Sequence, residues 1–127
     1  DRLNNIIENR KRVFDYYINI LSNEQLPITL QAGIDQFIPA NVYILFNEFS
    51  TSSVYKSLAK QGIETRRLYY PLISKHKGFK NILLANNGNQ RNAIKISESG
   101  LALPFHMHLT NKEMDIIISK LAKLLSD

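Results

Sequence analysis

The run GIETRRLYYPL, residues 62–72, gathers two arginines and two tyrosines between a glycine and a proline. Guanidinium groups grip phosphates and carboxylates through paired N–H donors, and phenols offer a flat apolar face with a polar tip. Arg66, Arg67, Tyr69 and Tyr70 thus form either the rim of a site for an anionic ligand or the solvated edge of a small sheet. Alternation along a strand sends Arg66 and Arg67 to opposite faces, so only one of them can aim at a given site. For each arginine the bland alternative is a surface side chain whose stem lies along the protein. Tyr69 and Tyr70 fit core aromatics with wet hydroxyls as well as they fit ligand contacts.

The three histidines are the other reactive candidates. His106 and His108, in FHMH, have the i, i+2 spacing that puts two imidazoles on one strand face, a geometry metals use; no third ligand at a recognisable spacing completes the set. His76, in the cationic stretch SKHKGF, can touch phosphate, exchange a proton near neutral pH or face water. Cysteine is absent, which excludes disulfides, a thiol nucleophile and cysteine-ligated metals. Nucleophile elbows, glycine-rich phosphate loops and zinc-finger spacings are missing too. On motifs alone the chain carries no catalytic centre.

Several elements must position these groups. Residues 2–21 place Leu3, Ile6, Ile7, Val13, Phe14, Tyr17 and Leu21 on one stripe of a helix, with Asn4, Glu8, Lys11, Asp15 and Asn19 opposite. Arg10, on the apolar side, reads as a stem packed against neighbours. Residues 22–39 carry two prolines and a glycine, which predicts an irregular connection with a short strand near Ile28 to Leu30. NVYILFNEF, residues 41–49, is β-branched and aromatic; Val42, Ile44 and Phe46 face one side and Tyr43 and Leu45 the other, as in a middle strand covered on both faces. STSSVYKSLAKQG supplies hydroxyl N-caps, an apolar set at Val54, Leu58 and Tyr55, and Gly62 at the helix end. A second strand over IETRRLYYP is expected next, with Ile63, Thr65, Arg67 and Tyr69 on one face.

Residues 73–90 hold turn chemistry and read as a mobile loop. RNAIKISES predicts a short helix closed by Gly100, and LALPF a buried strand ended by Pro104. Thr110 and Glu113 form a capping box at the head of a last helix whose stripe is Met114, Ile117, Ile118, Leu121, Leu124 and Leu125. The sum is an α+β domain: a small, mainly antiparallel sheet flanked by helices.

At 127 residues the chain fits one domain. No apolar run approaches the ~18 residues of a membrane span, so the expectation is a cytoplasmic protein without membrane contact. The net charge of +5 suits an anionic partner, but the 16 basic residues form no dense block. A free-standing anion- or nucleic-acid-binding module is one reading of that excess. Against nucleic acid, the aromatics are not interleaved with a basic stripe. An interaction domain presenting the apolar face of its first helix is another reading.

Four stretches, in order, resemble one family. IIENRKRVFDYYINIL resembles the helix joining the large and small domains of the DegT/DnrJ/StrS sugar-nucleotide aminotransferases, and NVYILF is similar to their first small-domain strand. GIETRRLYYPLISKHKGF resembles their G-I-x-T-R-x-x-x-x-P-L segment, and ISESGLALPFHMHLTNKEMDIIISKL their closing helix, strand and capped helix. The resemblance implies that residues 1–127 are the C-terminal small domain of a larger enzyme, with residues 1–21 as the interdomain helix. It implies a fold-type-I aminotransferase that moves an amino group, usually from glutamate, to a nucleoside-diphosphate keto sugar, using pyridoxal phosphate held on a lysine of the large domain. That domain, and with it the cofactor site, would lie upstream of Asp1, so the chain alone is expected to bind no cofactor and to be inactive. A homodimeric full-length enzyme is also implied. Arg66 matches the arginine of the G-I-x-T-R segment. Arg66, Tyr43, Tyr70, Lys75 and His76 are the substrate-binding residues the resemblance points to.

Overall fold

The computed structural model describes residues 1–79 and 90–126. The helices are α1 (Arg2–Asn23), α2 (Thr51–Lys60), α3 (Arg91–Ser99) and α4 (Asn111–Ser126). The strands are β1 (Ile28–Leu30), β2 (Val42–Phe46) and β3 (Gly100–Leu103). They form one antiparallel sheet in the order β1-β2-β3, with Leu30 opposite Ile44 and Val42 opposite Leu103. Helices flank the sheet, as the α+β expectation requires. No described helix is long and apolar enough to cross a membrane.

Alternation along β2 decides where the core sits. Val42, Ile44 and Phe46 are buried with Leu101 and Leu103 of β3. Onto that face pack Val13, Tyr17 and Leu21 of α1, Val54 and Leu58 of α2, and Met114, Ile118 and Leu121 of α4. Tyr43 and Leu45 point the other way and are only half-buried, so the second face is covered in part. Burying a side chain of this kind is worth about 1.5–3 kcal/mol, so the three-helix face dominates stability. The α1 stripe engages only from Val13 onward: Leu3 is 60% exposed and Ile7 45%.

Local signals at the helix ends hold. Ser50 caps α2 by accepting from Ser53 N–H, and Gly62 beyond its end takes φ 78°, the left-handed region glycine occupies without strain. The capping box at α4 is complete: Glu113 Oε2 accepts from Thr110 N at 2.8 Å, and Thr110 Oγ1 accepts from Glu113 N at 3.3 Å. The Thr110 hydroxyl, which donates to Glu113 Oε2 at 2.7 Å, and then the Thr110 N–H hold the Glu113 carboxyl below its ordinary pKa.

Two expectations need correction. The strand over residues 63–71 reduces to a single bridge, Arg66 with Ala102, through two backbone hydrogen bonds of 3.0 and 2.8 Å. Its alternation holds at first, with Ile63 and Thr65 buried, but Tyr69 turns the chain away at φ 58° and ends 77% exposed. Pro71, lacking an N–H, offers no ladder donor beyond that point. Gly100 closes α3 as expected, and in an extended conformation, at φ −97° and ψ 146°, it is also the first residue of β3. A glycine is required there because a Cβ would collide with the Tyr43 ring. His106 and His108 lie beyond the end of β3 in a turn, so they share no strand face. Within 73–90, residues 73–75 and 77–79 form two short 3-10 turns, while NNGN at 86–89 lies outside the described residues.

Candidate functional site

The direct passage of α3 into β3 creates the centre of the site. A helix leaves its last carbonyls without intrahelical partners, and with no turn following, side chains from elsewhere must supply the donors. Tyr43 of β2 donates its hydroxyl to Ile96 O at 3.0 Å, with Leu68 O as a longer alternative at 3.5 Å. Arg67 Nη2 reaches Ser97 O at 3.5 Å and Glu98 O at 3.3 Å. A cation at a helix C-terminus is also favoured by the helix dipole. Burial pushes the Tyr43 hydroxyl above its ordinary pKa, opposed by the charge of Arg67.

Arg67 reaches in two further directions. Its Nη1 donates to Ser52 Oγ at 2.8 Å in the first turn of α2, and its guanidinium lies 3.3 Å from the centre of the Tyr70 ring. Its Nε is buried without a hydrogen-bond partner among the described residues. Ser97, the buried residue of α3, donates Oγ to Tyr69 O at 2.9 Å. Further along, Lys75 pairs with Glu98 at 2.8 Å, and His76 Nε2 lies 3.3 Å from Pro71 O. The segment 67–76 is thus fastened to α3 by polar contacts, since its 3-10 turns bury no residues.

The predicted residues fall into three places. Tyr43 and Arg66 both stand opposite Ala102, on β2 and on the bridged segment, so they share one face of the sheet. Arg66 and Tyr70 line a groove of about 630 Å³ with Ser52, Tyr55 and Lys56 of α2. Tyr43 instead lines a groove of about 670 Å³ on the sheet's half-covered face, with Phe37, Leu45, Tyr69 and Ile96. Leu68 separates the two, and Lys75 and His76 line neither. Among the described residues the Arg66 side chain is held only by Glu64, at 3.4 Å, with both side chains largely exposed.

Sequence reasoning placed Arg66 ahead of its neighbour, yet Arg67 makes the larger set of contacts. The strand alternation said that one of the pair faces a site, and pairing with β3 decides which. Ser52, Ser97 and Glu98 carried no sequence signal, being ordinary polar positions in short helices. Arg10 behaves as read: it stacks 4.6 Å from the centre of Phe105 and donates to Pro39 O and Ala40 O at 3.0 and 3.2 Å. His106 and His108 face different grooves, and no cluster of three potential metal ligands occurs among the described residues. The arrangement supplies guanidinium, ammonium and phenol donors for binding, without a paired nucleophile and base.

Across residues 1–122 the sequence matches the DegT/DnrJ/EryC1/StrS aminotransferase family. The chain belongs to that family. Solved structures share the fold. A Streptococcus pneumoniae protein assigned as a sugar aminotransferase, in its PMP form, superposes with a TM-score of 0.81 at 22% identity, over 99% of this chain and 32% of that one. Helicobacter pylori PseC, an aminotransferase involved in pseudoaminic acid biosynthesis, gives 0.77 at 19% identity, over 94% and 33%. An E. coli GDP-4-keto-6-deoxy-D-mannose-3-dehydratase with bound hydrated PLP gives 0.70 at 17% identity, over 94% and 32%. The chain therefore spans about a third of the length of these solved structures. No curated protein matches it significantly.

Proposed function

We propose that residues 1–127 are the C-terminal small domain of a pyridoxal-phosphate-dependent sugar-nucleotide aminotransferase, with residues 1–21 as the helix leading in from a large domain. The full-length enzyme moves an amino group from an amino acid, glutamate by preference, to a nucleoside-diphosphate keto sugar in the cytoplasm, as a homodimer. Family membership over residues 1–122 supports the reaction class. The exposure of the lysines carries the division of labour.

A lysine that holds pyridoxal phosphate needs a desolvated pocket that lowers its pKa and groups that bind the ring and phosphate. Here every described lysine except Lys120 is exposed, and Lys120 is half-buried with its ammonium given to Gln61 O at 3.1 Å. Lys75 is paired with Glu98 and Lys11 with Asp15, both at the surface. The described residues do not fit the cofactor. The group's chemistry belongs to a large domain in this reading, and the present chain contributes a polar edge: Arg66 for diphosphate or carboxylate with Tyr70 in one groove, Tyr43 in the neighbouring groove, and Lys75 and His76 outside both. The exposed first turns of α1, with Leu3 and Ile7 open, fit a helix whose head rests on another domain.

Visible absorbance tests the proposal. Pyridoxal phosphate added to the 127-residue chain should leave only the spectrum of the free cofactor and no transaminase activity. A lysine-bound cofactor band accompanied by amino transfer in this chain would refute the assignment of the chemistry to another domain.

A further inference from the structure

We infer that residues 69–79 form a strap that swings off α3 as a unit while the rest of the domain stays folded, with Glu98 as its latch. The pairing of Arg66 with Ala102 is the last tie of this segment to the sheet. From residue 67 to 79 the backbone hydrogen bonds among the described residues close only local turns: Lys75 N to Leu72 O, His76 N to Ile73 O and Phe79 N to His76 O. Those bonds preserve the segment's own shape when it moves. Its apolar side chains add no anchor, since Ile73 is 69% exposed, Phe79 is 45% exposed and neither 3-10 turn buries a residue. Segments with few buried apolar contacts open locally at the least cost.

Side chains do the fastening. Ser97 Oγ donates to Tyr69 O at 2.9 Å, Ser74 Oγ donates to Gln90 Oε1 at 2.7 Å just ahead of α3, and Lys75 pairs with Glu98 at 2.8 Å. On the body side, Arg67 meets the Tyr70 ring. Two effects oppose closure. Tyr69 holds φ 58°, in the left-handed region that a bulky residue occupies only under strain, and opening lets it relax. Charge is the second. Between Glu64 and Glu98 the sequence has seven lysines and arginines and no acid, so Lys75 and Lys77 of the strap face a helix whose charges up to Ser97 are Arg91 and Lys95. Glu98 is the carboxylate that replaces this repulsion with an ion pair, and an exposed pair of that kind is weak in water. Ser97 and Glu98 are therefore positioning residues. They hold Tyr70, Lys75 and His76 in place together, and opening withdraws all three from the substrate edge. That consequence rests on the aminotransferase reading above; the latch does not.

Because the 127-residue chain has no cysteine, paired spin labels can be introduced without removing any native residue of that type. Ile73→Cys with Asn92→Cys measures the strap against α3, and Lys56→Cys with Asn92→Cys measures α2 against α3 as a control; all three positions are exposed. Double electron–electron resonance on the strap pair should give a main short distance and a minor longer one. Glu98→Gln should raise the ratio of long to short populations roughly threefold, the size expected of one exposed ion pair. Lys75→Glu combined with Glu98→Lys restores the pair with its signs exchanged and should bring the ratio back toward that of the unsubstituted chain. The control pair should keep one distance in every variant. The inference is overturned by a single strap distance that Glu98→Gln leaves unchanged, by a control pair that lengthens along with the strap pair, or by a charge-exchanged chain as open as Glu98→Gln. Neither cofactor nor substrate enters these measurements. A failed absorbance test would therefore remove the enzyme reading and leave the strap, and an immobile strap would leave the enzyme reading untouched.

Discussion

Gly100→Ala should destabilise this protein strongly, and the sign of its effect should reverse once Tyr43 is removed. Gly100 is extended, a conformation alanine adopts freely, so by backbone entropy alone the substitution should stabilise by about 0.4–1 kcal/mol. Tertiary packing opposes this, because the added Cβ falls inside the Tyr43 ring. Overfilling a packed position costs about 1–3 kcal/mol. Displacing the ring also breaks the bond from Tyr43 to Ile96 O, a further loss of about 1 kcal/mol. Set against the entropic gain, the expected net cost is about 1–3.5 kcal/mol, a large part of the roughly 5–15 kcal/mol that holds a domain together. With a urea slope near 2 kcal/mol per molar, the midpoint should fall by roughly 0.5–2 M. In a Tyr43→Ala background the space is open, and Gly100→Ala should raise the midpoint slightly. Equilibrium urea titration of the four proteins of this cycle gives the coupling energy directly. Equal costs of Gly100→Ala in both backgrounds, to within about 0.5 kcal/mol, would refute the packing argument.

Other expectations follow from the same contacts. Arg67→Met should cost about 1–3 kcal/mol, since it strips Ser52, two helix carbonyls and the Tyr70 ring of their partner, whereas Arg66→Met should stay within about 0.5 kcal/mol; thermal melts of the two variants compare them. Thr110→Ala should cost about 1 kcal/mol through the lost α4 cap. Because the Glu113 pKa is depressed on folding, the stability it contributes is present above its ordinary 4.5 and disappears as pH falls through the lower folded value, a loss that Glu113→Gln should abolish in acid titrations followed by circular dichroism. Tyr17 behaves oppositely: burial raises its pKa well above the ordinary 10.0, so its contribution is complete below pH 10.0 and is lost as pH climbs toward the folded value. Tyr17→Phe should flatten that alkaline decline while losing the bond to Pro104 O, worth about 1 kcal/mol at neutral pH.

By itself the sequence determined what is local. The α1, α2 and α4 stripes, the Ser50 and Thr110 caps, the left-handed Gly62 and the alternation of β2 each follow from neighbours within one or two turns, whose geometry the backbone imposes regardless of the rest of the fold. The α+β class follows from those elements, and the order of four family-like stretches was legible as well. Only the tertiary structure decided which arginine of the pair is committed to the fold, because that depends on Arg66 bridging Ala102, thirty-six positions away in sequence. The same holds for Gly100: its type looked like a helix stop, but the Tyr43 ring, brought over it by the β2–β3 register, is what excludes a side chain. The histidine pair parted for a related reason, since β3 ends before reaching it. Long-range register obeys the hydrophobic packing of the whole sheet, and no window of adjacent residues contains that information.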